Sequence, residues 1–556
     1  HRRRHSFPTR RSSDLARRAS QNLLPSSLRH LLAALALGLT LHCAPAAEPV
    51  PGDIGPVAAT PPASGLPAGW AQRGVFMEIL VRAYQDSDGD GIGDLAGLTS
   101  RLDYLQALGI RGLWLMPVFA SDDHDHGYAV VNYRAIEPAY GTLADFDRFI
   151  AEAHRRGIAV ILDYVMNHAA AAHPIFESAY DSRKSPFADW FIWADDKPKG
   201  WNTFAGDPWR EGNQRWYYAV FDAGMPDFNL RNPKVVDFHL DNLRFWLNRG
   251  VDGFRFDAVG VLFENSAVAW ENQPENHTLL KRVHDLLASY GEKFMVCESP
   301  SDPAPFATPE SCGSAFAFGL QKHIVASAKL GRLRDDVLYT LRKLPVPQMA
   351  TLLANHDYFA GARLARQFEG DEAGYRAAAA TLLTLPGIPF IYYGEEIGLG
   401  LSAPVSNADQ SLRGPMSWSG EPNAGFTSAD KPFRANVANW RTNNVAAEQD
   451  DPRSLLTWYR GLIALRNAEP ALALGSFTAL SVRDQPVFAF LREHEGATLL
   501  VLINYARTPA THALPAGFKA ADWQPLFPQG AASPFATANT VKLAPQQVLV
   551  LKKKPT

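Results

Sequence analysis

Residues 143–164 read LADFDRFIAEAHRRGIAVILDY, a helical pattern followed directly by a short apolar run. The first part of this stretch places Phe146, Phe149 and Ile150 at helical spacing among charged side chains, which predicts an amphipathic helix. Residues 159–164 are mostly apolar, as are strands that are covered on both faces of a parallel sheet. The stretch therefore predicts one helix-and-strand unit of an α/β fold.

The same alternation extends along the chain in both directions. Short apolar runs predict buried strands at residues 75–80, 112–116, 159–164, 253–257, 294–298, 349–355 and 389–393, with a weaker candidate at 316–318. Helical patterns lie between these runs. The sequence therefore predicts a (β/α)8 TIM barrel, in which functional groups lie at the carboxyl ends of the strands.

Two segments depart from this alternation. Residues 169–228 are too long for a crossover and are rich in Trp, Pro and Asp, which predicts a small inserted domain B after the third strand. Residues 470–553 alternate in the manner of strands and predict a C-terminal antiparallel β-sandwich. The catalytic barrel is then expected to comprise residues 67–168 and 229–469.

The N-terminal residues predict a leader. Residues 1–15 have no apolar periodicity and are interpreted as a remnant foreign to the protein, while residues 1–46 as a whole end in the charged, apolar and small-residue order of a secretory signal. We expect export to the periplasm or the medium, with a lipid anchor on Cys43 as the alternative. Residues 47–66 predict a linker, and no stretch predicts a transmembrane span.

Composition excludes two classes of protein. Residues 1–46 contain eight arginines and one acid, so the formal charge of −3 for the whole chain leaves −10 on the remainder. Such an acidic body excludes a nucleic-acid partner, which needs clustered basic residues. Only Cys297 and Cys312 follow the leader, too few for a disulfide scaffold. They could pair in an oxidising compartment, but a free buried thiol at Cys297 is expected.

Three acids follow separate predicted strands: Asp257, Glu298 and Asp357. Strand alternation places Arg255 on the same face as Asp257, and a nearby guanidinium favours the ionised carboxylate that a nucleophile needs. Glu298 ends an apolar strand, which would raise its pKa as a general acid needs. Structural ion pairs also shift pKa values, but they explain three strand-end acids less well. The pattern therefore predicts glycoside hydrolysis.

An acidic loop follows the first predicted strand. Four aspartates fall within nine residues: Asp86, Asp88, Asp90 and Asp94. Their mutual repulsion favours a bound cation, and oxygen ligands at alternate positions suit Ca²⁺. The loop is not an EF-hand, because Gly97 stands where that motif needs a glutamate. The alternative is a solvated turn rich in Asp and Gly.

The motifs that contain the three acids resemble the signature regions of the α-amylase family of glycoside hydrolases. In chain order they are DYVMNH (163–168), MPDFN (225–229), GFRFD (253–257), the strand that ends at Glu298, and NHD (355–357). The resemblance covers about residues 70–470. It implies a TIM barrel that acts on α-glucans with retention of configuration.

The resemblance also implies roles for the matched positions. Asp257 would be the nucleophile, Glu298 the acid/base, and Asp357 a transition-state stabiliser. Sugar contacts are implied for Tyr128, His126, His168, His356 and Arg413, although Tyr128 and Arg413 could equally be structural. Arg255 is assigned to the same substrate site, where it would orient Asp257. At the acidic loop the resemblance implies Ca²⁺ held by Asp86, Asp88, Asp90, Asp94 and the carbonyl of Ile92.

Two departures from the family pattern bear on specificity. Ala129 stands where many exo-acting members carry an aspartate that grips the non-reducing end, which predicts an endo-acting α-amylase that cleaves internal α-1,4 bonds. Gly260-Val261 replaces a Lys-His pair of many α-amylases, which leaves a second calcium site near Asn167 open. MPDFN is typical of the group intermediate between α-amylases and oligosaccharide-cleaving members.

Several functions stay open as alternatives. Within the family they are an α-glucosidase, a cyclomaltodextrin or pullulan hydrolase, and an α-glucan transglycosylase. From another class, the alternative is a non-catalytic carbohydrate-binding or transporter-associated member. The presence of all three acids disfavours that last alternative. The sequence does not indicate an oligomeric state.

Overall fold

The computed structural model describes residues 52–62, 65–403 and 408–555. The predicted leader, residues 1–46, lies outside the described residues, as does the first part of the predicted linker. The description below therefore begins at Gly52.

A sheet of seven parallel strands forms the wall of a barrel. The strands are β1 (Phe76–Ile79), β2 (Gly112–Leu115), β3 (Ala159–Tyr164), β4 (Gly253–Phe256), β5 (Phe294–Cys297), β6 (Ala350–Thr351) and β7 (Ile388–Tyr392). Their order in the sheet is β5-β4-β3-β2-β1-β7-β6. Each lies within or beside a run that the sequence predicts as a strand.

Residues 315–316 close this sheet into a ring. Ala315 forms a parallel bridge with Cys297 of β5, and Phe316 forms one with Ala350 of β6. Phe316 N donates to Cys297 O at 3.1 Å, and Ala317 N donates to Ala350 O at 2.8 Å. This bridge is the eighth position of the barrel, beside the weak strand predicted at 316–318, and the predicted TIM barrel is confirmed.

Helices surround the ring and separate its strands. They are Trp70–Arg73, Leu95–Ser100, Leu102–Leu108, Leu143–Arg155, Pro174–Asp181, Pro233–Asn248, Pro274–Ala288, Leu320–Leu330, Asp335–Lys343, Leu364–Gln367, Glu372–Thr384, Ala408–Leu412, Val445–Glu448, Leu455–Ala468 and Pro470–Leu474. In Leu143–Arg155, Thr142 and Asp145 form a capping box, and the predicted apolar stripe is buried. None of the described helices is long and apolar enough to cross a membrane.

The barrel interior has an apolar floor and a charged upper layer. Phe76, Trp114 and Phe390 belong to the apolar cluster of the floor. Because side chains alternate along a strand, the inward position two residues beyond Phe76 is Glu78, which is buried. The strands thus carry charged groups towards their carboxyl ends.

The inserted segment contains a small sheet of its own. Its strands are Trp193–Ala194, Trp209–Glu211 and Trp216–Tyr218, with Trp216–Tyr218 in the centre. His168 and Asp227 form a bridge that joins the start of the insert to its end. The insert follows β3, as predicted.

The C-terminal strands form two antiparallel sheets. The larger contains, in spatial order, Ser476–Ala479, Val487–His494, Ala497–Asn504, Val548–Lys553 and Trp523–Phe527, and the smaller pairs Ala510–Ala513 with Thr540–Leu543. A separate apolar cluster lies between the sheets, and the other face of the larger sheet packs against the core of the barrel. The predicted sandwich is confirmed.

Candidate active site

A cavity of about 590 Å³ opens at the carboxyl ends of the barrel strands. Asp257 directly follows β4, Glu298 directly follows β5, and Asp357 stands at the start of the turn after β6. All three acids line the cavity. The structure therefore brings together the three acids that were predicted from their positions at strand ends.

One guanidinium joins several of the acids. Arg255 is fully buried, and its Nη1 donates to Asp163 Oδ1 at 2.7 Å and to Asp257 Oδ1 at 2.8 Å. Its Nη2 lies 2.7 Å from Glu298 Oε2. Arg255 and Asp257 come from one strand face, as the alternation predicts, whereas Phe254 and Phe256 pack in the outer core.

The shared guanidinium determines the protonation states. Burial raises the pKa of Glu298 to about 7 against the opposing charge of Arg255. Burial also raises the pKa of Asp257, while the charge of Arg255 lowers it. Burial therefore raises the pKa of both carboxyls, and the value of about 7 places the titration of Glu298 near neutral pH.

This finding corrects one expectation. Arg255 was expected to hold Asp257 ionised by its own charge, but the pKa of Asp257 is raised rather than lowered. The reason is that a single guanidinium faces the buried carboxylates of Asp163, Asp257 and Glu298 and cannot offset the burial of each.

Asp357 lies beside two basic side chains, His356 and Arg413. Burial alone would raise its pKa, but the charges of His356 and Arg413 outweigh burial and hold the pKa of Asp357 well below its usual range. His356 Nε2 lies 3.1 Å from Asp357 Oδ2, and its Nδ1 contacts Glu78. Burial lowers the pKa of His356, yet Asp357 and Glu78 outweigh it and raise the pKa to about 10. Asp357 is therefore anionic and firmly held.

Tyr128 and His168 form further parts of the cavity wall. Tyr128 OH donates to Asp163 Oδ2 at 2.8 Å and accepts from Arg255 Nη1 at 3.1 Å, so its ring is fixed beside the acids. Burial lowers the pKa of His168 to about 3, which leaves a neutral imidazole. Both side chains lie where the resemblance implies sugar contacts.

His126 and Arg413 also line the cavity. His126 Nδ1 accepts from Tyr128 N at 3.1 Å and lies 3.2 Å from Asp123. Arg413 Nη2 donates to Asp357 Oδ1 at 3.1 Å, and its Nη1 lies 3.5 Å from Asp125 Oδ2. The nine residues predicted to act on the substrate thus belong to one connected site.

Sequence reasoning missed three acids that hold this site together. Asp163 binds Arg255 and Tyr128, Glu78 binds His356, and Asp125 binds Arg413. Asp163 and Glu78 each carry a signal, because an acid inside an otherwise apolar buried strand must have a partner. Asp125 carries none, since its loop reaches Arg413 only in the folded chain.

The cysteines also differ from expectation. Cys297 and Cys312 form a disulfide with a Cα–Cα distance of 6.2 Å, so the expected free thiol at Cys297 is wrong. Cys297 N donates to Ser314 O at 3.0 Å, which shows that the chain returns to β5 just after Cys312. The spacing of the two cysteines does not reveal this return.

The predicted calcium loop gathers three of its four aspartates. Asp86, Asp88 and Asp94 each offer a carboxylate oxygen, and these oxygens lie within 4.8 Å of one another. Asp90 Oδ1 accepts from Ile92 N at 2.7 Å. All four carboxylates accept backbone N–H groups of the loop, and those of Asp86, Asp88 and Asp94 also form an oxygen-rich cluster before the helix Leu95–Ser100.

The chain is similar to known proteins over most of its length. The alpha-amylase family model, described as alpha amylase, catalytic domain, matches residues 78–475. The chain is 33% identical over 509 residues to trehalose synthase/amylase TreS of Mycobacterium tuberculosis, covering 80% of this chain and 84% of that protein. It is 34% identical over 449 residues to alpha-amylase 3 of Dictyoglomus thermophilum, covering 80% and 86%.

The chain also resembles a solved structure over most of its length. The crystal structure of the alpha-glucosyl transfer enzyme XgtA matches with a TM-score of 0.78 and 32% sequence identity. The match covers 87% of this chain and 99% of that one.

Proposed function

Because the chain belongs to the α-amylase family, and is thus an enzyme that acts on glycosidic bonds, we propose that it cleaves or transfers terminal α-1,4-linked glucosyl units with retention of configuration. The observation that carries the proposal is the arrangement of Asp257 and Glu298 on one guanidinium, where burial raises the pKa of Glu298 to about 7. A paired anion and acid are what a double displacement needs.

In the first step Asp257 attacks the anomeric carbon. The glycosidic C–O bond breaks, and the proton of Glu298 passes to the leaving oxygen. The products are an alcohol and a glucosyl ester on Asp257. Loss of that proton leaves Glu298 anionic, and Arg255 Nη2 stabilises the new charge from 2.7 Å.

In the second step Glu298 acts as a base. It takes a proton from water, whose oxygen attacks the anomeric carbon from the face that the leaving group vacated, and the bond to Asp257 breaks. Two inversions give net retention. When another alcohol replaces water, the same step transfers the glucosyl unit instead.

Asp357 stabilises the positive charge that develops on the sugar ring between these states. Its carboxylate is ionised because His356 and Arg413 hold its pKa low. The neutral imidazole of His168 contributes a hydrogen bond to a sugar hydroxyl without adding a second positive charge.

Asp125 supports action at a chain end. It stands four residues before Ala129, and its carboxylate contacts both Arg413 and Arg434, at 3.5 Å and 2.7 Å. Arg413 in turn contacts Asp357 at 3.1 Å, so this group lies beside the proposed sugar site. The names of similar proteins, among them trehalose synthases and a probable α-glucosidase, are in keeping with short substrates.

Endo action is the second candidate, and Ala129 is the observation that favours it. A time course on maltoheptaose distinguishes the two. Glucose released singly as the α-anomer supports terminal action, whereas several maltooligosaccharides that appear together support an endo-acting amylase. Products that are initially β-anomers would overturn the double displacement itself, and full activity of Asp257→Asn would remove Asp257 from the mechanism.

The acidic loop is proposed to bind Ca²⁺. The three clustered carboxylates of Asp86, Asp88 and Asp94 fit a hard cation that prefers oxygen, and Asp90 with the Ile92 carbonyl would complete the set. The ion would stabilise the turn before the helix Leu95–Ser100 and take no part in bond cleavage. Chelation should therefore lower the melting temperature by several degrees, because an ion that keeps its site near saturation adds ~3 kcal/mol to the free energy of unfolding. A melting curve indifferent to both chelator and added Ca²⁺ would exclude the site.

Export is proposed on two grounds. The leader has the composition of a secretory signal, with Cys43 as the alternative lipid anchor. The Cys297–Cys312 disulfide supports an oxidising compartment. Fractionation of cells that produce the chain tests this proposal, and protein confined to the cytosol would contradict it.

A further inference from the structure

The turn that follows the nucleophile begins with a backbone conformation that few residues adopt. Ala258 has a φ of 46° and a ψ of 38°, in the left-handed region, where residues other than glycine are strained. Such a residue persists only where the surrounding structure holds it in place. Ala258 directly follows Asp257 and lines the active-site cavity, so the strain lies beside the proposed reaction.

The left-handed turn brings two backbone N–H groups to the second acid. Ala258 N donates to Glu298 Oε2 at 3.1 Å, and Val259 N donates to Glu298 O at 3.1 Å. Glu298 Oε2 is the same oxygen that lies 2.7 Å from Arg255 Nη2. A hydrogen bond from an N–H group favours the ionised form of a carboxyl. The conformation of Ala258 therefore bears directly on the ionisation of Glu298.

One buried side chain holds the other side of this turn. Asn276, in the first turn of the helix Pro274–Ala288, is fully buried. Its Nδ2 donates to Val259 O and to Gly260 O, at 2.9 Å each. A side-chain amide nitrogen carries two hydrogens, so this one atom can bind two successive carbonyl groups. Val259 is thus fixed on both sides, because its N–H meets Glu298 and its carbonyl meets Asn276.

We propose that Asn276 is a positioning residue, which holds Ala258 in its left-handed conformation and so directs the Ala258 N–H to Glu298. Asn276 is not among the described residues that line the active-site cavity, so it acts on the reaction through the turn. This inference rests on the proposed function, since it acts through Glu298 as the acid and base of the double displacement. When Glu298 becomes anionic in the first step, the Ala258 N–H stabilises the new charge together with Arg255.

The test compares Asn276→Ala with the unaltered chain on p-nitrophenyl α-glucoside, with kcat and kcat/KM measured as functions of pH. Alanine leaves two carbonyls of the turn without their donor, so Ala258 can relax from the strained conformation. Glu298 then loses a hydrogen bond to its anionic form, and kcat should fall about tenfold. For the same reason the alkaline limb of kcat/KM should move to higher pH, by about one unit.

Ala258→Gly tests the conformation of the turn itself. Glycine adopts the left-handed region without a steric cost, so it should keep the turn in place with less help from Asn276. We expect Ala258→Gly, added to the Asn276→Ala chain, to raise kcat about threefold and to return the alkaline limb towards its original pH.

Asn504→Ala is the matched control. Asn504 is also fully buried, and its Nδ2 also donates to two carbonyls, those of Thr508 at 3.0 Å and Ala544 at 2.7 Å. It ends the strand Ala497–Asn504 of the C-terminal sandwich and does not line the cavity. We expect this variant to lower the melting temperature as Asn276→Ala does, but to keep the alkaline limb of the unaltered chain.

The outcomes separate the inference from the function on which it rests. If Asn276→Ala keeps the alkaline limb of the unaltered chain, or if Ala258→Gly restores neither kcat nor the limb, the inference is overturned and the proposed function stands. If Asn276→Ala does not fold, Asn276→Ser keeps one donor, and an unmoved limb in that variant overturns the inference as well. If the unaltered chain cleaves neither maltose nor p-nitrophenyl α-glucoside, the proposed function fails, and the inference fails with it.

Discussion

Asp53→Ala tests whether the chain ahead of the barrel helps to hold the active site. Asp53 is fully buried, and its Oδ2 accepts from Tyr133 N at 3.1 Å. The same oxygen lies 3.0 Å from His173 Nε2. Because His173 Nδ1 accepts from Ile175 N at 3.1 Å, the ring hydrogen resides on Nε2 and is donated to Asp53.

The expected loss in the free energy of unfolding follows from the buried groups that the substitution leaves without a hydrogen-bond partner. Alanine removes one acceptor and strands two buried donors, the N–H groups of Tyr133 and His173. Each buried donor without a partner costs ~1–3 kcal/mol. Part of this loss is offset, because the buried carboxylate and its desolvation cost are also removed. We expect the free energy of unfolding to fall by ~3 kcal/mol. Tyr133 OH also donates to His168 O at 2.7 Å, so KM for maltose should rise as well.

Urea unfolding followed by tryptophan fluorescence measures the loss. Glu292→Ala is the matched control, because Glu292 Oε1 accepts from Gly69 N at 2.7 Å on the same approach to the barrel but is exposed. We expect that variant to lose less than ~0.5 kcal/mol. If Asp53→Ala and Glu292→Ala unfold at the same urea concentration, burial is not what gives Asp53 its effect and the reasoning is refuted.

Three further predictions concern the site and its disulfide. The value of kcat/KM on p-nitrophenyl α-glucoside should fall as pH rises through about 7. The first step needs the protonated form of Glu298, whose pKa burial raises to about 7. A profile that is flat from pH 6 to 9 would contradict this prediction. Asp163→Asn should move that alkaline limb to lower pH, because Arg255 then faces fewer carboxylates and lowers the pKa of Glu298 further. An unmoved limb would show that Asp163 does not weaken the effect of Arg255 on Glu298. Dithiothreitol should destabilise the chain by ~3 kcal/mol, as expected for a loop of 15 residues, while Cys312→Ser should melt at one temperature with or without the reductant.

Local patterns in the sequence were sufficient to predict the strands and the acids that follow them. A buried parallel strand leaves a run of apolar residues, and the polar group at its carboxyl end follows directly, so Asp257 and Glu298 were found without knowledge of the fold. Asp163 and Glu78 were within reach of the same reasoning. Each is the lone acid of a buried strand, and such a charge must be paired.

Contacts between distant segments could not be predicted in this way. The disulfide depends on the return of residues 313–316 to β5, and nothing in the cysteine spacing encodes that return. Asp53 lies in the predicted linker, yet it is buried against the strand Val130–Ile136 and the inserted segment. Composition describes such a stretch as a linker because packing against distant elements leaves no local pattern.

Substrate preference also depends on contacts between segments that are distant in the sequence. The endo prediction rested on one position, Ala129, but a folded loop can also bring a carboxylate to Arg413 from another position. Asp125 does so from the same loop, at 3.5 Å, and joins Arg434 to the group. These contacts place a carboxylate beside the proposed sugar site, which the identity of residue 129 alone does not reveal. For this reason the chemistry of the three acids can be inferred from their strands, whereas the length and polarity of the substrate must be inferred from the folded loops around them.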